Sequence, residues 1–222
     1  MEMTKQESKM LKGVAILSML MLHLFCRKTD LPYTPLLWIG NIPVIYYFGL
    51  FGDICVPMYC FMSGYAHGLP TTNIAARWKQ LLRFMIRFWT IVVVFSIVGI
   101  LVKDPNIPGS FGKFILNCLT LRINYNGAWW YANIYIVLII LLPFSVWLVD
   151  RFPNWLVLLL SFFYYSVGYG IRFWGWGACE SHLLSWFIKH IGLLGTSYFP
   201  YIIGMLFCRK GIIGKLRKMV DP

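Results

Sequence analysis

The chain has 222 residues, of which 59% are hydrophobic and 13% are charged. A soluble domain carries about 25% charged residues, so the composition excludes a disordered chain and argues against a water-soluble globule. The net charge of +12 would suit a nucleic-acid partner. However, the basic residues stand in short clusters between apolar runs and no recognition motif accompanies them, so we expect no nucleic acid.

Apolar runs without charges predict an all-α polytopic membrane protein, a single transmembrane domain over residues 1–222. Each span needs about 20 residues, which leaves room for about six helices. We predict spans at about 11–27, 45–68, 84–102, 129–149, 153–170 and 188–208. Pro and Asn residues mark 31–43 as a loop, and 103–128 is the longest outer connection, with an interfacial helix around 111–121.

The distribution of Lys and Arg predicts the orientation. With the N-terminus inside, thirteen of the 20 Lys and Arg residues lie in inner segments. The positive-inside rule therefore places the N- and C-termini in the cytoplasm.

The first span carries two polar positions, Lys12 and His23. Eleven residues at about 100° each bring their side chains to one face, about 16 Å apart along the helix. One interpretation is a topology anchor and a helix–helix hydrogen bond. The other is a functional site, since the proton affinity of histidine suits general-base chemistry near neutral pH.

Three polar residues accompany the second span. Asp53 is either solvated at the outer end or orients a histidine. Ser63, followed by Gly64, is more typical of close helix packing than of a nucleophile. His67, at the inner end, is interpreted as a contact to lipid headgroups.

A basic stripe leads into the third span. Lys79, Arg83 and Arg87 are spaced i, i+4, i+8 and share one face of a helix. The stripe is either a topology signal with headgroup contacts or a site for a phosphorylated ligand, because guanidinium groups donate in a fork to phosphate oxygens.

Nothing in the sequence predicts a metal. His182 and His190 flank an outer interface without metal-ligand spacing. The six cysteines form no CxxC pair; Cys118 and Cys179 are placed towards an oxidising side, with their pairing open.

Several segments together resemble the membrane-bound acyltransferase-3 family. The order and spacing of these motifs over residues 11–143 carry the resemblance. They are Leu11-Lys12-Gly13-Val14-Ala15-Ile16-Leu17 running to His23, the aromatic run Val56–Tyr65 that ends in Ser-Gly-Tyr, the pair Arg83 and Arg87, and Trp129-Trp130-Tyr131 with Pro143.

The resemblance implies an O-acyltransferase of the bacterial inner membrane that moves an acyl group, commonly acetyl from acetyl-CoA, onto a carbohydrate hydroxyl of a cell-envelope glycan. It implies that His23 is catalytic, as a base or as an acyl relay, and that Lys12, Arg83 and Arg87 handle the acyl-CoA donor. The chain departs from the family in having Lys at position 12 and four-residue spacing between its arginines.

Typical members of the family have about ten spans of ~20 residues, against about six here. We therefore expect a short or truncated member, a fragment, or a half that needs a missing C-terminal half or a second copy of itself. Membrane lipids and a carbohydrate or glycolipid acceptor are the expected partners. Two other hypotheses are a truncated non-catalytic scaffold and a glycolipid transporter or flippase component; binding of CoA separates the enzyme from the transporter, and turnover separates it from the scaffold.

The orientation predicts the outcome of reporter fusions. A reporter inserted in the 70–82 loop should be active in the cytoplasm, and one inserted in 103–128 should be active on the other side. A 70–82 reporter that is active outside the cytoplasm would contradict the positive-inside argument.

Overall fold

The computed structural model describes residues 3–29, 31–69, 73–175 and 181–220. The regular structure of these residues is helical apart from one short antiparallel hairpin of β1 (Trp38–Ile39) and β2 (Ile42–Pro43). The helices are α1 (Lys5–Phe25), α2 (Val44–Phe51), α3 (Cys55–Gly68), α4 (Ile74–Leu101), α5 (Phe111–Cys118), α6 (Trp130–Ile140), α7 (Leu142–Arg151), α8 (Asn154–Trp174), α9 (His182–Arg209) and α10 (Ile212–Val220). Short 3₁₀ turns join α2 to α3 and precede α6.

The prediction of an all-α polytopic membrane protein is confirmed. Within the described residues, five stretches are long and apolar enough to cross a membrane. They are Lys5–Phe25, Val44–Gly68, Ala75–Leu101, Asn154–Trp174 and His182–Arg209.

The sixth stretch is broken. The predicted span 129–149 is a pair of helices, Gly127–Ile140 and Leu142–Arg151, bent by 54°. Pro143 lies at the start of the second helix. A proline lacks the N–H donor and its ring clashes with the carbonyl four residues earlier, which accounts for the break.

Three helices begin well before the predicted spans. α1 begins at Lys5 because Thr4 and Glu7 form a capping box, in which each side chain accepts a hydrogen bond from the other's backbone N–H. α4 begins at Ile74 because the Asn73 side chain accepts a hydrogen bond from a backbone N–H of the first turn. α9 begins at His182 because the Ser181 side chain accepts a hydrogen bond from the Leu184 N–H. Caps therefore set these helix ends, whereas apolar runs show only the part of each helix that suits a bilayer.

The core is built around α9, which packs against α3 on one side and α8 on the other. Glycines bring the backbones together at both contacts. At the α3–α9 contact, Gly64 lies against the Tyr201 carbonyl and Gly204 lies against the Phe61 carbonyl. At the α8–α9 contact, a Cβ on Gly168 would lie 2.8 Å from the Gly192 oxygen.

Polar contacts bring both chain ends to one end of the bundle. Glu7 of α1 forms an ion pair with Arg217 of α10. Just ahead of α1, the Met3 N–H donates to the Tyr65 hydroxyl of α3 at 2.9 Å. The start of α1, the finish of α3 and helix α10 therefore share one end, called here the terminal end.

The glycine contact between α3 and α9 predicts a sharp sensitivity to one methyl group. Gly64→Ala should push the two backbones apart and lower the stability of the detergent-solubilised protein by about 1–3 kcal/mol, as overpacking does. Thermal unfolding monitored by size exclusion measures the loss.

Gly170→Ala is the matched control, because its Cβ would meet only the Trp174 ring at 3.7 Å. Equal stability of the Gly64→Ala and Gly170→Ala proteins would contradict the close approach of α3 and α9.

Candidate active site

Helix α1 carries two of the sequence-predicted residues, Lys12 and His23. Ala15 is fully buried on the face of α1 that packs inward. Lys12 and His23 are exposed. Within the part of the chain that the structure describes, neither side chain has a hydrogen-bond or ion-pair partner.

The direction in which Lys12 and His23 point follows from the position of an apolar notch of about 280 Å³ beside α1. The notch lies between α1, α3 and α9, and Leu11, Pro200 and Ile203 are among its lining residues. Successive helix residues are about 100° apart, so Lys12 lies on the other flank of α1 from Leu11. His23 lies on the same flank of α1 as Lys12. Both side chains therefore point to the side of α3 away from the notch.

Helix α4 is covered by other helices on one flank. Phe88 and Val92 are buried on its inner face. The Trp89 indole N–H donates to the Cys118 carbonyl of α5 at 2.9 Å, so α5 covers this flank.

Arg83 and Arg87 are exposed, and both lie on the opposite flank of α4 from the one that α5 covers. The Arg83 Nε–H donates to the Lys79 carbonyl at 3.4 Å. Within the described residues the structure gives the Arg87 side chain no hydrogen-bond or ion-pair partner.

Helix α3 contacts both α1 and α4. Its Ala66 carbonyl accepts a hydrogen bond from Arg77 of α4 at 2.7 Å. Tyr59 of α3 packs near Tyr131 of α6, with ring centroids 6.0 Å apart. Ser63, one turn after Tyr59, is half-buried on the same stripe. Helix α3 therefore contacts α1 along its length and α4 near its finish, and the space between α1 and α4 over this stripe of α3 is called here the α1–α4 groove, with α1 and α4 as its walls.

The polar residues of the groove lie at two depths. Counting 1.5 Å per residue from the contacts of Met3 and Arg77 with α3, Lys12, Arg83 and Arg87 lie roughly 10–15 Å from the terminal end. His23 lies roughly 30 Å from that end. The groove therefore offers three cations near its mouth and one imidazole about 15–20 Å further in.

The comparisons with known proteins decide the family. The family model described as an acyltransferase domain, that of acyltransferase-3, matches residues 7–221. This chain belongs to the acyltransferase-3 family. It is therefore a multi-pass membrane protein of an acyltransferase family, as the sequence resemblance predicted. No curated protein and no solved structure matches it.

In this acyltransferase-3 member, the four sequence-predicted site residues lie on two helices that both contact α3. Lys12 and His23 stand on α1, and Arg83 and Arg87 stand on α4. The two walls do not pack together as neighbouring helices, because α1 packs against α2 and α3 whereas α4 packs against α5 and α6.

Asp53 does not orient a histidine within the described residues. It lies exposed in the 3₁₀ turn between α2 and α3, and no hydrogen bond joins its side chain to a described histidine. The solvated position is the interpretation that the structure favours.

The interpretation of His67 as a headgroup contact is wrong. His67 is 2% exposed and Tyr201 of α9 is fully buried. The His67 Nδ1 atom and the Tyr201 hydroxyl are 2.9 Å apart and form a hydrogen bond. The close packing of α3 on α9 covers the imidazole, and the tyrosine supplies the partner that a buried polar group requires.

Sequence reasoning missed a polar cluster at the mouth of the groove, made by Arg77, Gln80 and Tyr135. Gln80 donates to the Tyr135 hydroxyl of α6 at 2.8 Å. An amide ahead of an apolar run was the only available signal, and its partner lies 55 residues away in the sequence.

The described residues contain no group of three or more His, Cys, Asp or Glu that could hold a metal. Within the described residues, no disulfide joins Cys26, Cys55, Cys60, Cys118 and Cys208 to one another. Cys179 lies outside the described residues, so the pairing of Cys118 with Cys179 is not tested.

Proposed function

We propose that this acyltransferase-3 member transfers an acyl group, acetyl in the first instance, from acyl-CoA to a hydroxyl of a cell-envelope carbohydrate at the bacterial inner membrane. The family match over residues 7–221 supports acyl transfer. The α1–α4 groove supports the donor and the chemistry that we propose, because it has three cations near its mouth and a histidine deeper in.

The cations suit the phosphates of CoA. Arg83 and Arg87 carry guanidinium groups that match phosphate oxygens, and Lys12 adds a point charge from the opposite wall. The pantetheine arm of CoA is an extended chain that leads from the phosphates to the thioester. Its extended shape suits the offset of about 15–20 Å along the groove between the cations and His23.

The chemistry at His23 is a general-base acyl transfer. The imidazole takes the proton from the sugar hydroxyl, and the oxygen attacks the thioester carbonyl. The C–S bond then breaks, and the CoA thiolate leaves and takes the proton back from the imidazolium. No metal enters this sequence of steps, in which the carbohydrate oxygen gains the acyl group and CoA gains the proton.

The location of the donor sets the proposed orientation. Acyl-CoA is a cytoplasmic compound, so the mouth of the groove, and with it the terminal end of the bundle, faces the cytoplasm. The positive-inside rule gives the same orientation. The acceptor, a carbohydrate or glycolipid, approaches the deeper end of the groove near His23.

Loss of the base predicts loss of turnover. His23→Ala should reduce transfer of labelled acetyl from acetyl-CoA into membrane glycans by about 10²–10⁴-fold, the usual contribution of a positioned base. His182→Ala replaces another exposed histidine, at the start of α9, and should leave transfer unchanged.

Full activity of His23→Ala in membranes that hold equal amounts of protein would exclude His23 as the base. CoA binding without any turnover in the unmodified protein would favour the non-catalytic scaffold.

Loss of the arginines predicts weaker donor binding. The double variant Arg83→Ala/Arg87→Ala removes the charge-assisted hydrogen bonds to the donor. Because one such bond is worth about 1.5–3 kcal/mol, the KM for acetyl-CoA should rise by at least tenfold. Arg172→Ala, at the far end of α8, is the control for loss of an exposed arginine. An unchanged KM in the double variant would place the donor elsewhere.

A further inference from the structure

One turn of α4 joins three helices at the mouth of the groove. Arg77 donates to the Ala66 carbonyl at 2.7 Å. Ala66 lies in the last turn of α3, where the backbone carbonyls have no partner within the helix. A cation at this position also meets the negative end of the helix dipole. Arg77 therefore attaches the first turns of α4 to the finish of α3.

The attachment continues through a glutamine to α6. Arg77 also donates to the Gln80 side-chain carbonyl at 2.9 Å. The Gln80 amide nitrogen in turn donates to the Tyr135 hydroxyl at 2.8 Å. Both ends of the Gln80 amide are thus engaged, and the Tyr135 ring packs edge-on against Phe84 with centroids 4.9 Å apart.

Helix geometry couples this attachment to the arginines of the groove. Gln80 and Arg87 are seven residues apart, which is within about 20° of two full turns. Fixing Gln80 therefore fixes the rotation of the face that carries Arg87. Arg83 lies between them, less than one turn from Gln80.

The remainder of α4 is held on the α5 and α6 side, by the Trp89–Cys118 hydrogen bond and by ring contacts of Phe88 and Phe95 with Trp129. Most of its outward positions between residues 82 and 101 are exposed. Its apolar packing is to α5 and α6, through Phe88 and Val92. The polar chain from Ala66 through Arg77 and Gln80 to Tyr135 is the feature that also connects α4 to α3.

We propose that Arg77, Gln80 and Tyr135 form a positioning network that directs Arg83 and Arg87 into the groove and thereby sets the affinity for the acyl-CoA donor. This role rests on the proposed function, since it takes the two arginines as the phosphate contacts. The three residues are positioning residues and act on the donor through α4.

Two conservative variants separate the network from simple packing. Tyr135→Phe removes the acceptor of the Gln80 bond and keeps the ring against Phe84. Gln80→Met keeps the length of the side chain and removes both hydrogen bonds. Tyr169→Phe on α8 is the matched control, because the Tyr169 ring packs against Tyr165 and Phe173 of its own helix.

Kinetics with labelled acetyl-CoA are the test. Tyr135→Phe and Gln80→Met should each raise the KM for acetyl-CoA about three- to tenfold, the range expected for one hydrogen bond. The kcat at saturating donor and the amount of protein in the membrane should stay at the level of the unmodified chain and of Tyr169→Phe. In the Arg83→Ala/Arg87→Ala background, Tyr135→Phe should cause no further rise in KM, because the network acts through those arginines.

The contradicting outcomes are distinct. If the unmodified chain transfers acetyl and both variants keep its KM, the network has no positioning role, while the proposed function stands. A fall in kcat or protein amount with unchanged KM assigns the three residues to stability alone and also overturns the inference. A chain that neither transfers acetyl nor binds CoA removes the proposed function, and the positioning role with it.

Discussion

The close approach of α3 and α9 organises the helix bundle. Gly64 and Gly204 place each backbone against a carbonyl of the other helix, at Tyr201 and Phe61. In a bilayer the lipid tails are as apolar as leucine, so helices associate through such close packing and through buried polar pairs. The hydrogen bond between His67 and Tyr201 adds a polar pair at this contact.

This contact gives α3 two different sides. On one side, α3 and α9 form the apolar notch with α1, a surface that suits hydrocarbon. On the other side, α3 bears Tyr59 and Ser63 and lies between the polar walls of α1 and α4. The three cations and His23 stand on the two helices that flank this second side, and these helices do not pack together as neighbours.

Much of the fold follows from the sequence, because the bilayer restricts the choice of structure. A spanning segment must satisfy its own backbone hydrogen bonds, so a charge-free run of about 20 residues predicts a helix. The helix ends were less predictable because side-chain caps at Thr4 and Asn73 set them. The break at Pro143 was also missed, since the apolar run continues through it without a change in composition.

The candidate site was predictable in part. Lys12, His23, Arg83 and Arg87 could be selected because charged and imidazole groups are costly in or near a membrane and their spacing shares a helix face. Their arrangement on two walls depends on which helices pack together, which spacing within one helix does not encode. The partners of His67 and Gln80 lie 134 and 55 residues away in the sequence, so tertiary packing alone reveals these bonds.

The most direct test of the α1–α4 groove as the donor site is photo-cross-linking. Membranes that contain the chain would be irradiated with two CoA analogues, one photoreactive at the adenine and one at the acyl group, and the labelled peptides would be mapped by mass spectrometry. The adenine probe should label α4 around residues 77–87 or the first turns of α1. The acyl probe should label the His23 region or the Tyr59 and Ser63 stripe of α3, and unlabelled CoA should compete with both probes. If the labelling that unlabelled CoA suppresses is confined to α8, or to the notch around Pro200 and Ile203, the α1–α4 groove is not the donor site.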